Sequence, residues 1–289
     1  MKTFKARALI ISRLPPSHAA KRLADELLSL DIQVSWFFPE QRDDTISEAL
    51  ASKPNLVINR LLGDEVSLSE VLNSCSELEA SLPESAMVIN DIRSVRTALS
   101  KSSQSQALTA AGLDQVKEIS NVQAHDHQDL LSRLGLPYII KPDTGYGGDA
   151  VSLCSSPDDL RGALREVGSR MAVAQAFIPS ASITSRLLMF RESLIVAYRR
   201  IAEPGKWKAN FSQGATLELY TPTESERQSA NLAMECIGLD IGGVDLVAGE
   251  SGPIVLEINP SPGLAGAEKI SGHNIAGQIA QHSFGKLTG

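Results

Sequence analysis

The sequence is poor in aromatic side chains and in cysteine, and it contains no long apolar run. Aromatic residues make up 4% of the 289 positions, so a core must be packed mainly from Leu, Ile, Val and Ala. Cys75, Cys154 and Cys236 are odd in number and lack metal-ligand spacing, which fits unpaired thiols in a reducing cytoplasm. No segment approaches the roughly 20 apolar residues of a membrane span. The apolar part of the start, MKTFKARALII, is too short for a secretory signal. We therefore expect a cytoplasmic protein with no membrane partner.

An excess of basic residues is also missing. The chain has 27 Lys and Arg against 34 Asp and Glu, a formal charge of −7. Nucleic-acid binding depends on cations that neutralise phosphates, so we expect no nucleic-acid partner. A hydrophobic content of 43% and a charged content of 21% are ordinary for a globular chain. The length allows two or three compact lobes.

The first ninety residues alternate between apolar strands and amphipathic helices. Strands are predicted at 6–12, 32–37, 55–60 and 86–90, with helices at 17–30, 45–51 and about 68–80. This alternation is typical of a parallel sheet. The first strand-to-helix turn, SRLPPSH, has no glycine, so the phosphate-cradling turn of a dinucleotide site is missing. We expect this lobe to be a scaffold or an acceptor-binding surface.

The middle of the chain carries a glycine-rich turn next to a lysine. We predict helices near 93–101, ending at Lys101, then at 104–111 and 121–134, where His125 and His127 are expected on the surface. The strand LPYIIK ends at Lys141 and is followed by DTGYGGDAVSL. Glycines in such a turn let several N–H groups face an anion, and a lysine adds charge for the same phosphates. A plain glycine hairpin beside a surface lysine is the alternative.

Near the C-terminus, the run IVLEINPSPGLAG ends a strand with two oxygen-bearing side chains. Glu257 and Asn259 are two residues apart and face the same way. Asp245 lies in a second apolar strand, where a buried carboxylate needs a positive partner. This donor set suits Mg²⁺ shared with phosphates; solvated or salt-bridged acids on a hairpin are the alternative. Arg186 begins another apolar strand, either as a residue at the solvent edge or as an anion ligand.

Taken in order, these segments resemble a known family. Lys101, KPDTGYGG (141–148), RR (199–200), KAN (208–210), GGVDL (242–246) and LEINPSPGLAG (256–266) are similar to the ATP-grasp ligases. The tail AGAEKISGHNIAGQIAQH narrows the resemblance to the RimK-like branch of ribosomal-protein glutamate ligases, and the similarity runs from about residue 90 to the end. The resemblance implies an α/β (α+β) ATP-grasp fold. It would have a Rossmann-like pre-ATP-grasp lobe (1–92), a central lobe with the phosphate hairpin (93–174) and a C-terminal lobe with the metal site (175–289).

The resemblance also implies roles for individual residues. ATP phosphates would be bound by Lys101, Lys141, the turn Gly145, Tyr146, Gly147 and Gly148, and the segment Lys208, Ala209 and Asn210. The adenosine would be bound by the hinge Gln175, Ala176, Phe177 and Ile178 and by Thr184. Mg²⁺, for which Mn²⁺ can substitute, would be held by Asp245, Glu257 and Asn259. Arg186, with Lys141, would serve the chemistry at the carboxylate or acyl phosphate. The chain departs from the family at Ala176 and Thr184, where relatives often carry acids, and at Ala150, where glycine is usual.

The implied activity is ATP-dependent joining of a carboxylate to an amine through an acyl phosphate. The donor would be glutamate or another amino acid, the acceptor a small-molecule or peptide amine, and the enzyme a homodimer or homotetramer like many relatives. Two alternatives stay open: a nucleotide-binding module without turnover, and an ATP-dependent kinase. Asp245→Asn is expected to cut turnover strongly and to leave the fold intact.

Overall fold

The computed structural model describes residues 4–41, 44–62, 68–145, 148–204 and 215–288. The first sheet contains β1 (Ala6–Ile11), β2 (Ile32–Phe37), β3 (Leu56–Asn59) and β4 (Met87–Ile89), all parallel and in the order β2-β1-β3-β4. Three helices connect these strands: α1 (His18–Ser29), α2 (Asp44–Ala51) and α3 (Leu68–Ala80). The alternating pattern of the sequence is thus confirmed as a parallel sheet.

A second sheet is antiparallel and carries the strand that ends at the lysine-glycine turn. Two helices precede it, α4 (Ile92–Leu99) and α5 (Lys101–Ala110). It consists of β5 (Glu118–Ser120), β6 (Tyr138–Pro142), β7 (Ser152–Cys154) and β8 (Ala172–Ala176), in the order β5-β8-β6-β7. Helix α6 (His127–Leu134) precedes β6, and α7 (Pro157–Val167) lies between β7 and β8.

The third sheet holds the acidic strands. It comprises β9 (Ile183–Phe190), β10 (Ser193–Ile201), β11 (Thr216–Leu219), β12 (Ile241–Ala248) and β13 (Pro253–Asn259), antiparallel and in the order β11-β10-β9-β12-β13. Helix α8 (Glu224–Ile237) begins with a capping box between Thr223 and Glu226. Helices α9 (Ala265–Ser271) and α10 (Ile275–Thr288) follow the last strand. Strand β11 and helix α9 are additions to the sequence prediction.

The position of Lys101 differs from the prediction, because this residue begins a helix and does not end one. Ser100 separates α4 from α5 with an extended backbone, and its hydroxyl accepts a hydrogen bond from the Ser103 N–H. The Asp143 carboxylate, just beyond β6, accepts from the Ser102 N–H at 2.7 Å and from the Ser100 hydroxyl at 2.8 Å. A cap supplied from 41 to 43 positions away cannot be seen in the local pattern.

The expectation of two surface histidines on one helix is wrong for His127. Helix α6 starts at His127, so His125 precedes it, and His127 is buried. Its Nδ1 lies 2.7 Å from the Tyr138 hydroxyl on β6. The first residue of this helix therefore points at the sheet, where the tyrosine satisfies the polar ring.

The largest core cluster joins the two ends of the chain. It contains buried residues of the first sheet and α1, such as Ile10, Leu23 and Ile58, together with Ile275 and Ile279 of α10. Residues of β9, β10 and β12 belong to the same cluster. The division at residue 92 stays a prediction, since the first lobe shares its core with the C-terminal helices. In the part of the chain that the structure describes, no helix combines the length and hydropathy needed to cross a bilayer.

Candidate functional site

The site is built on a row of residues that crosses the third sheet. The register places Tyr198 of β10 opposite Arg186 of β9, Arg186 opposite Asp245 of β12, and Asp245 opposite Glu257 of β13. Directly opposed residues in antiparallel strands project from the same face. A shift in register after Asp245 pairs Leu246 with Val255, so the strand bulges beside Glu257. The row therefore brings one arginine and two carboxylates together on one face.

Asp245 is buried between two guanidinium groups. Arg186 donates from Nε to Oδ1 at 2.6 Å and from Nη2 to Oδ2 at 2.5 Å, and Arg200 Nη2 lies 2.6 Å from Oδ2. Only 1% of the Asp245 side chain is exposed. Burial alone would lower the pKa of Arg186, but Asp245 outweighs it and raises that pKa. The solvent-edge alternative for Arg186 is therefore wrong, and Asp245 has the positive partner that its burial demands.

Glu257 and Asn259 lie at the end of β13 and share the face predicted by strand alternation. Asn259 donates from Nδ2 to Glu257 Oε1 at 3.1 Å, and Arg186 Nη2 lies 3.8 Å from the same oxygen. Partial desolvation would raise the pKa of this carboxyl, but the charges of Lys101, Arg186 and Lys141 hold it at about 2. Glu257 is thus an anion at neutral pH.

Lys101 and Lys141 come from different elements and lie close enough for their charges to interact. The Lys101 ammonium donates to the Asp143 carbonyl at 3.2 Å. Burial, and secondly the charge of Lys141, lowers the pKa of Lys101 to about 8. Two ammonium groups held close together and partly desolvated form a strong anion-binding site.

Glu118 is a site residue that the sequence analysis missed. It lies on β5, and its Oε2 is 3.6 Å from Lys141 Nζ, with both side chains less than a tenth exposed. Burial raises the pKa of Glu118, against the opposing charges of Lys141 and Lys101. The only sequence signal is an acid in the short segment VKEI, which matches neither a metal pattern nor a helical face.

Gln104 and Asn90 were not predicted from the sequence either. Neither residue belongs to the third sheet, but the side chain of each forms hydrogen bonds with its backbone. Gln104 of α5 accepts from the Ile258 N–H at 2.8 Å and donates to the Ile258 carbonyl at 3.0 Å. Asn90 donates to the Ile241 and Pro260 carbonyls and accepts from the N–H groups of Asp240 and Ile241. These side chains fix the ends of β12 and β13, and hence Glu257 and Asn259.

A cleft of about 400 Å³ lies between the second and third sheets. On the side of α5 and the second sheet it is lined by Lys101, Lys141, Gly145, Gly148, Gln175 and Ala176. On the side of the third sheet and the chain leading into it, it is lined by Ile178, Thr184, Arg186, Asp245, Glu257 and Asn259. Phe177, also predicted for the site, is not part of this lining. Tyr146, Gly147, Lys208, Ala209 and Asn210 lie outside the described residues.

Comparison with known proteins identifies the family. A model of the RimK-like ATP-grasp domain matches residues 98–282, well over half of the chain. The chain belongs to the RimK-like ATP-grasp family. The resemblance found in the sequence motifs is thus confirmed.

Curated relatives of this RimK-like chain are named as ligases. A "probable alpha-L-glutamate ligase" of Xylella fastidiosa is 34% identical over 181 residues, which is 61% of this chain and 60% of that protein. A protein of the same name from Xanthomonas euvesicatoria is 34% identical over 61% of each chain. The match therefore spans about three fifths of the relatives' length.

Solved structures establish the ATP-grasp fold over nearly the whole chain. The D-cycloserine synthetase DcsG superposes with a TM-score of 0.72 at 20% identity, covering 96% of this chain and 99% of that one. The D-alanine–D-alanine ligase of Bacillus anthracis, solved with ATP, gives a TM-score of 0.71 at 16% identity, covering 98% and 99%. The first ninety residues, which matched only in pattern, are included in this likeness.

The oxygen donors of the RimK-like site fit Mg²⁺. Among the described residues, no three His, Cys, Asp or Glu side chains form a cluster that could hold a metal ion, but two carboxylates and an amide line the cleft. Asp245 already interacts with two nitrogens of Arg186 and one of Arg200, which leaves about one of its four lone-pair sites for a metal. Glu257, by contrast, is anionic, and its side chain is 39% exposed. Mg²⁺ takes few protein ligands and keeps waters and phosphate oxygens. Of these three side chains, Glu257 is the one best placed to hold such an ion.

Three residues depart from the pattern that the family resemblance implies, and each has a different environment in the structure: Thr184, Ala150 and Ala176. Thr184 accepts a hydrogen bond from Arg200 Nε at 3.1 Å, so it helps hold the guanidinium that pairs with Asp245. Ala150 has a φ of 47°, a conformation that glycine adopts at little cost. Ala176, at the end of β8, has no polar side chain to offer a ligand.

Proposed function

We propose that the protein is an ATP-dependent carboxylate–amine ligase. The observation that carries the proposal is the arrangement across one cleft: two ammonium groups, Lys101 and Lys141, on one side, and the anionic Glu257 with Asn259 on the other. The charges of Lys101, Arg186 and Lys141 together hold the pKa of Glu257 at about 2. An arrangement of this kind suits a nucleoside triphosphate whose charge is shared between protein cations and a metal.

The proposed binding roles are assigned according to the side of the cleft on which each residue lies. Lys101, Lys141 and the turn at Gly145 and Gly148 would hold the phosphates, and the adenine would sit against the hinge at Gln175, Ala176 and Ile178. Thr184 would lie towards the ribose. Mg²⁺, held by Asp245, Glu257 and Asn259, would compensate the charge that develops on the transferred phosphoryl group. The predicted contributions of Tyr146, Gly147, Phe177, Lys208, Ala209 and Asn210 stay part of the proposal.

The proposed reaction needs alignment and charge compensation and no protein nucleophile. An oxygen of the donor carboxylate attacks the γ-phosphorus of ATP, which gives an acyl phosphate and ADP. The amine then attacks the acyl carbon, phosphate leaves, and an amide forms with loss of a proton. Arg186 uses two of its N–H groups on Asp245, and its remaining donors would orient the carboxylate or the acyl phosphate.

The substrates are proposed from the relatives' names. Glutamate is the first donor to test, since the Xylella and Xanthomonas relatives are called probable alpha-L-glutamate ligases. A small-molecule or peptide amine would accept it. A homo-oligomeric state is part of the same proposal.

A product screen tests the function. The purified protein would be incubated with ATP, Mg²⁺ and pooled amino acids and amines, with ADP release and product masses as the readouts. We expect ADP release that needs both a carboxylate and an amine, and a product whose mass is their sum less one water. A stable phosphoester would identify a kinase instead.

A nucleotide-binding module without turnover is the second candidate. It is favoured by Ala176 and Thr184, which stand where relatives often carry acids. Tight ADP binding with no ADP release from any substrate pool would support it. The set of Lys101, Lys141, Glu257 and Asn259 favours the ligase, because a module that only binds need not keep it.

A further inference from the structure

A second cavity, of about 320 Å³, lies between helix α5, strand β5 with the residues before it, and the end of helix α6. Its volume is at the lower end of the range for small-molecule sites. None of the described residues that line it also lines the cleft between the second and third sheets. The polar and charged residues in its lining are Ser105, Thr109, Gln115, Lys117, Glu118 and Arg133.

Glu118 brings a buried acceptor atom to this cavity. Its side chain is 6% exposed, and among the described residues no group hydrogen-bonds to its Oε1. A buried carboxylate oxygen without a donor costs free energy, which a ligand that supplies the donor would recover. Because an ionised carboxylate only accepts hydrogen bonds, the matching group is a donor, and a cationic donor makes the strongest bond.

The exposed part of the lining carries the opposite charge. Lys117 and Arg133 are both exposed, and Arg133 donates from Nη1 to Asp129 at 3.1 Å, which engages one of its five N–H groups. A ligand that matches the whole lining therefore has a cationic donor at one end and an anionic group at the other. A free amino acid, with its ammonium and carboxylate groups, is the simplest compound of this kind.

Glu118 also connects the cavity with the cleft. Its Oε2 lies 3.6 Å from the Nζ of Lys141, and Lys141 lines the cleft. An ammonium group paired with Oε1 would add positive charge close to Lys141 and would compensate part of the carboxylate's charge. Both effects strengthen the attraction of Lys141 for phosphates. By thermodynamic linkage, a bound nucleotide would strengthen the binding of the ammonium group in return.

We propose that this cavity is an effector site for a free amino acid, whose ammonium group pairs with Glu118 and whose carboxylate faces Lys117 and Arg133. Occupation of the site raises the affinity of the cleft for ADP through Lys141. The site itself does not depend on the proposed ligase function, whereas its effect on ADP rests on the nucleotide cleft of that function.

Calorimetry without nucleotide tests for the site, with each common amino acid titrated singly into the wild-type protein. For one that binds, the matched probes are its N-acetyl derivative, which lacks the ammonium group, and its decarboxylated amine. Each should bind at least about tenfold more weakly, because each loses a hydrogen bond between charged groups. Equal binding of the N-acetyl derivative would overturn the pairing with Glu118. Equal binding of the amine would reveal a site for cations and overturn the assignment to amino acids.

Three substitutions locate the bound amino acid. Thr109→Trp, at an exposed position of α5, fills the cavity and should abolish this binding without changing the affinity for ADP alone. Gln106→Trp, exposed on the same helix but outside the lining, is the matched control and should bind the amino acid normally. Glu118→Gln should weaken the binding about tenfold to a hundredfold. An amino acid held only as a substrate in the cleft would bind to Thr109→Trp and to the wild type alike, which would overturn the proposal.

Titrations of ADP and Mg²⁺ with and without the amino acid measure the coupling. The Kd for ADP should fall about fivefold or more when the amino acid is present, as couplings between sites usually require, and should not respond to it in Thr109→Trp. An unchanged wild-type Kd would overturn the effector role. If no amino acid binds outside the cleft while the product screen yields an amide, the effector site is wrong and the ligase function stands. Amino-acid binding that Thr109→Trp abolishes, in a protein that binds no nucleotide, would support the site and overturn the ligase function.

Discussion

Individual charges in the cleft are tuned by their neighbours, and Lys101 shows the effect most clearly. Burial and the charge of Lys141 lower the pKa of Lys101 to about 8. Its ammonium form is therefore complete only below that pH and is lost as the pH rises through it. A phosphate-binding lysine with this pKa makes nucleotide affinity depend on pH in a range where most lysines are fully charged.

The affinity for ADP is expected to fall as the pH is raised from 7 to 9.5, because deprotonation of Lys101 removes an attraction for the phosphates. Lys101→Arg should flatten this dependence, since arginine stays protonated. Lys101→Met should weaken binding at every pH. Calorimetric titrations across the range provide the measurement, and a flat wild-type profile would contradict the role given to Lys101.

The metal assignment is tested better at Glu257 than at Asp245. Glu257→Gln is expected to reduce turnover roughly 100-fold, as the loss of a group that compensates transition-state charge does, and to abolish the Mg²⁺ dependence of ADP binding. The variant also loses the attraction of Lys101, Arg186 and Lys141 for this carboxylate, but the side chain is 39% exposed and screened by solvent, so the loss of stability should be smaller than that of Asp245→Asn. Near-normal ADP release from this variant would show that the metal assignment is wrong.

Asp245→Asn is expected to lower the free energy of unfolding as well as the turnover. From the sequence alone, this variant was expected to keep its fold intact. Removing its charge leaves two guanidinium groups, those of Arg186 and Arg200, short of their buried partner. Breaking a buried pair typically costs about 3–5 kcal/mol. Urea unfolding of Asp245→Asn beside Glu257→Gln checks this, and equal stability of the two variants would contradict it.

At the residue scale, the sequence predicted what depends on local alternation and missed what depends on distant partners. Glu257 and Asn259 share a face because strand side chains alternate, and this was predicted. Arg200 and Asp245, which are in contact, lie 45 positions apart in the sequence and on two different strands, so no local pattern predicts their contact. Glu118 was missed for the same reason, since its ion-pair partner Lys141 lies on a different strand.

At the scale of elements, the position of the site depends on how helix α5 is attached to strand β13. Gln104 makes paired hydrogen bonds to the backbone of Ile258, the residue between Glu257 and Asn259. It also donates to the Ala98 carbonyl at the end of α4. One buried glutamine therefore joins two helices to the strand that carries the proposed metal ligands.

Gln104→Leu is expected to lower the free energy of unfolding by about 3 kcal/mol or more. It keeps the size of the side chain but leaves two carbonyls and one N–H unpaired, at about 1–3 kcal/mol each. It should also weaken Mg²⁺-dependent ADP binding, because Glu257 and Asn259 lose their support. Gln106→Leu, an exposed glutamine of the same helix, is the matched control. Equal effects of the two substitutions in urea unfolding would contradict this role.

The elements themselves were largely predictable, and their exceptions have physical causes. The β/α alternation and the end of β13 at Asn259 follow from hydrophobic pattern and from the breaking effect of proline and glycine. The end of β6 was predicted to within one residue, at Lys141 where the structure has Pro142. The start of α5 at Lys101 was misplaced because Asp143, beyond β6, supplies a cap. The start of α6 at His127 was misplaced because the backbone at Asn121 has a φ of 58°, in the left-handed region, and cannot begin the predicted helix there.

At the scale of the whole molecule, the last helix completes the core of the first lobe. The buried side chains of Ile275 and Ile279 in α10 join the cluster that contains Leu23 and Leu27 of α1. Arg22 of α1 adds a hydrogen bond to Asn274, just before α10, at 3.0 Å. The parallel sheet therefore has one of its faces covered by residues from the far end of the chain.

Ile279→Ala is expected to lower the free energy of unfolding by about 2–5 kcal/mol, the usual cost of a cavity at a buried isoleucine. Because the core is shared, the first lobe should lose stability as well.

Trp36 of β2, which packs against this cluster, reports on that lobe by fluorescence once Trp207 is replaced by phenylalanine. The Trp36 transition should shift to lower urea together with the far-ultraviolet circular dichroism. Leu232→Ala, at an exposed position of α8, should leave both unchanged. A Trp36 transition that stays in place while the rest of the chain is destabilised would mean that residues 1–92 fold on their own, and that α10 covers them without supporting them.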